Sequence, residues 1–262
     1  MSFTKQYKFP FGKLISKQDT GISTRRDLFI LGAYPSALHV RWEPPTPFKP
    51  VRALAVDNEP SVFWTGEDQG KLIDAWKEQV GWKNEYGAVS IAGKYNGSSG
   101  LWVNDRILKP LGLRRTDVWF SDCLDIYHSS KGQEKRLLDT YNPFSEEFDI
   151  DRAYLPQHPD EDDIVREALA YHLDRIEAQL LLAKPNLIVT LGNAALRVIK
   201  NLVTSDSVIP DQLVHELVNY GNQIEVLIPG NIKAMWLPLV HPGAPKKYQV
   251  VHEKWIETKS KL

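Results

Sequence analysis

The sequence predicts an α/β protein whose parallel sheet is covered by helices on both faces. Three observations carry this. Short aliphatic and β-branched runs recur along the chain, amphipathic helical stretches separate them, and several runs end in glycine or proline turns. Strands alternating with helices are the pattern of parallel sheets. Ligands of such sheets bind beyond the C-terminal ends of the strands. The ends GAYPSALH, SDCLD, LGN and HPGAPKK are therefore expected to converge.

Taken in order, residues 1–26 are mixed and polar, end in Arg25-Arg26, and read as an N-terminal extension. In Asp27–Ser36, the buried strand LFIL runs into a Gly/Pro turn. In residues 41–62, Pro44, Pro45, Pro47, Pro50 and Pro60 prevent a helix and leave only Val51–Val56 as a short strand, so the stretch reads as a stiff proline-rich insertion. Gln69–Val80 is a helix, with Leu72, Ile73, Trp76 and Val80 at helical spacing. Asn96–Gly100 reads as a loop, Trp102–Pro110 as a short helix and Val118–Leu124 as a second buried strand. Residues 128–160 are polar and irregular, with one helical turn at KRLLDTY.

Glu161–Ala183 is the clearest helix. Ile164, Leu169, His172, Leu173, Ile176 and Leu180 share a face, and Asp160 or Glu161 sits where the helix dipole favours negative charge. Lys184-Pro185 ends it. A strand at Leu187–Leu191, a turn at Gly192 and a helix from Asn193 or Ala194 follow. Residues 205–230 are looser, with room for an edge hairpin. A last strand, Met235–Val240, ends in a His-Pro-Gly turn, and Tyr248–Thr258 closes the chain as a helix.

Composition narrows the function. The 262 residues carry 32 Lys+Arg against 33 Asp+Glu, 42% hydrophobic and 25% charged, as soluble globular proteins do. This balance argues against a protein that coats DNA regardless of sequence, but it allows a local basic footprint. The single cysteine, Cys123, excludes a disulfide framework, a four-cysteine zinc site and a cluster held by four thiolates of this chain. It fits a reducing, cytoplasmic setting. No apolar run reaches the ~18–20 residues of a membrane helix, and MSFTKQYKFPFGK has no apolar core of a secretory signal.

The motifs exclude as much as they suggest. LGNAAL lacks the second and third glycines of a dinucleotide fingerprint, and neither a P-loop nor G-x-S-x-G occurs. The histidines, at 39, 128, 158, 172, 215, 241 and 252, show no metal-ligand spacing, so no metal and no cofactor are expected. His172, on an apolar helix face, reads as a core histidine. In VHPGAPKKY, His241 at a strand end is placed to donate to a developing anion, and Lys246 and Lys247 to hold phosphates. The same segment also reads as a solvated loop with a histidine cap.

Together these motifs resemble the uracil-DNA glycosylase superfamily. EDDIVREALAYHLDRIEAQLLLAKPNLIVTLGNAALRVI is most similar to its family-four and family-five bacterial and archaeal members. LFILGAYPS corresponds to their G-x-x-P motif, VFWTGEDQGKLID to F-x-G-x-x-G-x-x-L, DVWFSDCLD to V-Y-x-T-N, and LPLVHPGAPKKY to the H-P-S motif with its DNA-inserting loop. The resemblance spans roughly residues 27–258. It implies one domain over 1–262, a three-layer α/β/α sandwich around a central parallel four-stranded sheet. It also implies a monomeric DNA glycosylase that flips a damaged or deaminated base and hydrolyses its N-glycosidic bond in base excision repair, in duplex or single-stranded DNA.

That bond breaks with cationic character at the sugar and negative charge on the departing base. The resemblance assigns the anion-stabilising role to His241 and the catalytic carboxylate to Glu67. The stacking aromatic is Phe63 or Trp64, and Gly32 and Pro35 keep the turn. A basic rim of Lys246 and Lys247, with Arg114, Arg115 and Lys131, meets the DNA backbone. Two departures bear on the chemistry. Tyr34 stands where several active families place Asp, Glu or Asn. Asp122 replaces the Asn that reads uracil, and an ionised Asp only accepts hydrogen bonds. That edge repels uracil O4 and suits a base presenting two donors. HPG replaces HPS, and the cluster cysteines of family four are absent. Blander roles are open to both acids: Glu67 as an acidic helix start, Asp122 as the partner of Arg41 or another arginine. Two rivals remain: a non-catalytic base- or nucleic-acid-binding member of the same fold, and an interaction protein that docks a partner on 41–62.

Overall fold

The computed structural model describes residues 6–18, 24–213 and 219–259. Its strands are β1 (Leu28–Gly32), β2 (Ala37–Glu43), β3 (Val51–Asn58), β4 (Ala88–Ile91), β5 (Val118–Asp122), β6 (Leu187–Leu191), β7 (Ile224–Ile228) and β8 (Ile232–Leu239). Its α-helices are α1 (Gln69–Gln79), α2 (Ser98–Val103), α3 (Lys131–Arg136), α4 (Asn142–Glu147), α5 (Glu161–Glu167), α6 (Leu173–Ala183), α7 (Asn193–Lys200) and α8 (Lys246–Lys259). The chain divides into two compact units. One comprises Met1–Gln18, Pro35–Ser98 and Ile126–His158. The other comprises Asp19–Tyr34, Ser99–Asp125 and Pro159–Leu262.

The second unit is built on a five-stranded sheet in the order β5-β1-β6-β8-β7. Four strands run parallel, as the strand–helix alternation predicts; β7 pairs antiparallel with β8 at the edge. The sheet is therefore mixed rather than purely parallel and four-stranded. The turn Pro229–Asn231 explains the reversal. Gly230 and Asn231 both adopt left-handed backbone (φ 80° and 55°), and a connection this short joins only antiparallel strands. Every residue of β1 is buried, as a central parallel strand requires.

Sequence boundaries hold best here. β6, the turn at Gly192 and α7 fall where the sequence places them. The long helix also runs Glu161–Ala183, through α5, a π-turn at Ala168–His172, and α6. Asp160 caps it, accepting from the Asp163 N–H at 2.8 Å. The last strand begins earlier than expected, at Ile232, because its first residues pair with β7. α8 begins at Lys246 rather than Tyr248. The Asn96–Gly100 loop is shorter than read, since α2 starts at Ser98.

The first unit departs further from the sequence reading. The stretch 41–62 is not an excursion. β2 and β3 pair antiparallel, and β4 extends the sheet to the order β3-β2-β4. Pro44, Pro45, Pro47 and Pro50 occupy the connection between β2 and β3, where no ladder donor is needed. Trp42, Val51 and Leu54 are buried. The N-terminal extension is not a polar tail in its described part. Phe9 and Phe11 lie in the core, and Phe11 packs against Trp42, Trp76, Trp82, Tyr86 and Tyr141 at centroid distances of 4.8–5.9 Å. Residues 1–5 and 19–23 of that extension lie outside the described residues. Residues 131–147 are helical through α3, a π-turn at Leu137–Tyr141, and α4, rather than irregular. Tyr141 and Phe144, both fully buried, supply the apolar face that the polar composition of this stretch hides.

Candidate functional site

Parallel pairing aligns the strand ends of the second unit. Gly32 is opposite Asp122, Leu31 opposite Thr190, and Leu191 opposite Leu239. Tyr34, Asp122, Gly192 and His241 therefore collect along one C-terminal edge. Between the outer strands β5 and β8 lie three strand spacings, ~14 Å.

Asp122 is buried at the end of β5 (5% exposed). The arginine beside it is Arg175 of α6, not Arg41, which pairs with Glu43 at 2.8 Å. Arg175 donates to the backbone carbonyls of Asp122 and Cys123 at 2.8 and 2.9 Å and to Ser121 Oγ at 3.1 Å. Gln179, one helical turn on, accepts from Ser121 Oγ at 2.7 Å. The guanidinium thus clamps the strand end that carries Asp122. Burial raises the Asp122 carboxyl to about 7, with Arg175 opposing the rise. Near neutrality both forms are therefore present: the protonated acid donates and accepts, and the carboxylate only accepts. Tyr34 packs against the core of this unit. Burial, and then the charge of Asp122, push its phenol up to about 12, so it is a neutral hydroxyl and not an anion.

His241 follows β8. Gly243 N–H donates to His241 Nδ1 at 3.0 Å, and burial lowers the imidazole to about 4. The ring is therefore neutral, and with its Nδ1 lone pair engaged it carries its proton on Nε2. The turn is braced: Ala244 N–H donates to the His241 carbonyl at 2.9 Å, and Gln249 Nε2 donates to the same carbonyl at 3.0 Å. Gly192, at φ 87°, lies alongside; a Cβ there would stand 3.2 Å from the His241 Cβ. Upstream, Val240 N–H donates to Tyr220 Oη at 3.0 Å, and Tyr220 bonds His252 Nδ1 at 2.7 Å. His252 Nε2 reaches the Arg106 carbonyl at 3.0 Å, and the ring is stacked between Trp102 and Trp255.

Of the expected basic rim, Lys246 and Lys247 are exposed in the first turn of α8, and Lys247 Nζ lies 4.7 Å from the Tyr248 ring. Arg114 is engaged by Asp117 at 3.1 Å, and Arg115 lies over the Phe120 ring at 4.5 Å. Lys131 begins α3 of the first unit. His172 is buried, 3.8 Å from Asp125 and 3.9 Å from Glu167, in keeping with a structural histidine. Among the described residues no three His, Cys, Asp or Glu side chains gather as a metal site.

Phe63, Trp64 and Glu67 belong to the first unit. Trp64 is part of its aromatic core. Phe63 is also buried, but outside that cluster and with φ at 55°, a conformation unfavourable for a bulky side chain. Such strain is met in functional loops. Gly97 holds the loop: a Cβ there would come within 2.2 Å of the Thr65 backbone. Glu67 is exposed, just ahead of Asp68, which caps α1 with left-handed backbone.

A scan of protein-family models and a search of curated proteins find no match to the chain. The site rests on its geometry. Sequence reasoning missed Arg175, Tyr220, Gln249 and His252. Only Arg175 carried a local signal, its i,i+4 spacing from Gln179 on the helix face turned to β5.

Proposed function

We propose that the protein is a DNA glycosylase-like hydrolase that binds a damaged or deaminated base at the strand ends of its second unit and cleaves its N-glycosidic bond. The observation that carries this is the placement of His241 just after β8, with its Nδ1 accepting from Gly243 N–H at 3.0 Å. A neutral imidazole, held by Gly243 at Nδ1, presents an Nε2–H donor at a strand end. That is what a departing base anion requires, and a pre-set donor needs no reorganisation as charge develops. Asp122 is the residue to read the base edge, and Tyr34 borders it. Lys246 and Lys247 supply phosphate contacts. In this reading the second unit's sheet is the middle layer of an α/β/α sandwich, and the protein works as a cytoplasmic monomer.

The family resemblance further gives Glu67 the catalytic carboxylate and Phe63 or Trp64 the stacking face. The test incubates the full chain with labelled duplex and single-stranded oligonucleotides carrying uracil, hypoxanthine, xanthine or thymine, then cuts abasic sites with hot alkali. Native protein should cut at least one. His241→Ala and Glu67→Gln should each slow cutting by at least ~10²-fold. Near-native rates in both variants would sink the assignment. Tyr34 favours a second reading, a base-binding module without chemistry, because its neutral phenol replaces a carboxylate. Salt-sensitive DNA binding with no cut on any substrate would establish that reading instead.

A further inference from the structure

We propose that the outer face of the first unit's sheet holds the backbone of single-stranded nucleic acid. The surface arises from a β-bulge. Val40 is opposite Leu54 and Trp42 opposite Val51, so Arg41 faces the two-residue step Arg52–Ala53. Trp42, Val51 and Ala53 turn into the core, while Arg41 and Arg52 emerge side by side into solvent. Bulges re-aim side chains in this way. Like charges opposed across strands are unfavourable without an anion. Glu43, 2.8 Å from Arg41, offsets one of them in an exposed pair of little net worth.

The two guanidiniums line a groove of about 700 Å³ whose other wall includes Pro50, Ile91 and Tyr95. Ile91 is 51% and Tyr95 40% exposed. Lys49 and Lys94 adjoin Pro50 and Tyr95 in the chain and are exposed as well. Two cations against one carboxylate thus border an apolar and aromatic strip, with two further exposed lysines next to it in the chain. A cationic track beside a stacking surface is how single strands are held, phosphates on the charges and bases on the ring. An acidic peptide would satisfy the cations but would leave the Tyr95 face without a partner. This surface lies within one unit, and its role does not depend on any cleavage chemistry.

The test is fluorescence anisotropy of labelled oligothymidylate with the full chain, between about 50 and 200 mM salt. Native protein binds, and its log affinity falls with log salt. In the double variant Arg41→Ala, Arg52→Ala the slope is shallower by about 1.4, two phosphates at ~0.7 each. Arg41→Lys, Arg52→Lys restores the slope, which separates charge from folding. Tyr95→Ala weakens binding about tenfold with the slope unchanged. Base release is read separately, with native protein on the lesion-bearing oligonucleotides, so failure of the glycosylase reading, no cut on any of them, leaves this result intact. No binding at the lowest salt, a native slope in the double alanine variant, or displacement by polyglutamate as effective as by unlabelled oligonucleotide would overturn the proposal.

Discussion

Burial leaves Asp122 with a carboxyl raised to about 7, and under the proposed function its two protonation states would offer a base different edges. The acid pairs with a C=O beside an N–H, the edge of uracil or hypoxanthine. The carboxylate accepts only and suits an edge of two donors. The charged group that acts on it is Arg175 from α6, itself faced by Asp125; Asp122 in turn raises the Tyr34 phenol and the Cys123 thiol. The folded pKa lies above the ordinary 3.8, so between these values the folded protein keeps a proton that the unfolded chain loses. The ratio of uracil to two-donor-base cleavage should therefore be higher at pH 6 than at pH 8, with the change centred near 7. Asp122→Asn should show a uracil preference independent of pH. A constant ratio in the native protein would remove Asp122 from base reading.

Among the elements, β8 and the turn after it are held from outside the sheet. Tyr220 Oη accepts from Val240 N–H, the residue before His241, and the Tyr220 hydroxyl donates to His252 Nδ1. His252 is lowered to about 4 by burial, so it is neutral and donates from Nε2 to the Arg106 carbonyl. In the proposed function Tyr220 and His252 would therefore be positioning residues, acting through His241. Tyr220→Phe leaves a buried N–H and an imidazole nitrogen without partners, a loss of about 1–3 kcal/mol. It should lower kcat more than it raises KM, and it should broaden or shift the His241 ring nitrogen signals in NMR. Unchanged His241 signals would reduce Tyr220 to a core residue.

This network also shows what was legible. β6, Gly192 and α7 could be read because a β-branched strand, a glycine turn and an amphipathic helix are each local. The Glu161–Ala183 helix was equally plain from its apolar face and acidic start. β3 was legible at Val51–Val56, but β2 was obscured because its signal lies in the pairing of Trp42 with Val51, across a proline-rich connection that dominates the local reading. Phe9 and Phe11 read as polar-segment aromatics because their partners, such as Tyr141 and Trp76, are remote in sequence. Tyr220 and His252 belong to no motif, and only the folded register brings them to Val240.

For the whole molecule, ionisation couples the fold to pH. Burial lowers His39, His241 and His252 to about 4, below the 6.5 of an unfolded histidine. As pH falls from 6.5 toward 4, the unfolded chain gains protons that the native imidazoles refuse, and stability drops. Asp122 has the opposite sign: its contribution is present below 3.8 and lost as pH rises to about 7. Asp57 is raised by burial as well, and three histidines against these two acids predict a urea midpoint that falls between pH 6.5 and 4. Asp122→Asn should raise the midpoint more at pH 8 than at pH 4. A flat native profile over that range would mean that these imidazoles are hydrated in the folded state.

The connectivity of the two units has a consequence for synthesis. Each unit is assembled from three separate stretches of chain, so neither is complete when its first strand is made. β1 is entirely buried in the finished sheet, and its neighbours on either side are β5 and β6. Leu28–Gly32 therefore leaves the ribosome with both hydrogen-bonding edges open, and it waits until Val118 and then Leu187 have been added. During that interval the nascent chain presents a bare apolar strand. A chaperone that shields extended aliphatic segments would raise the yield of native protein most by acting then.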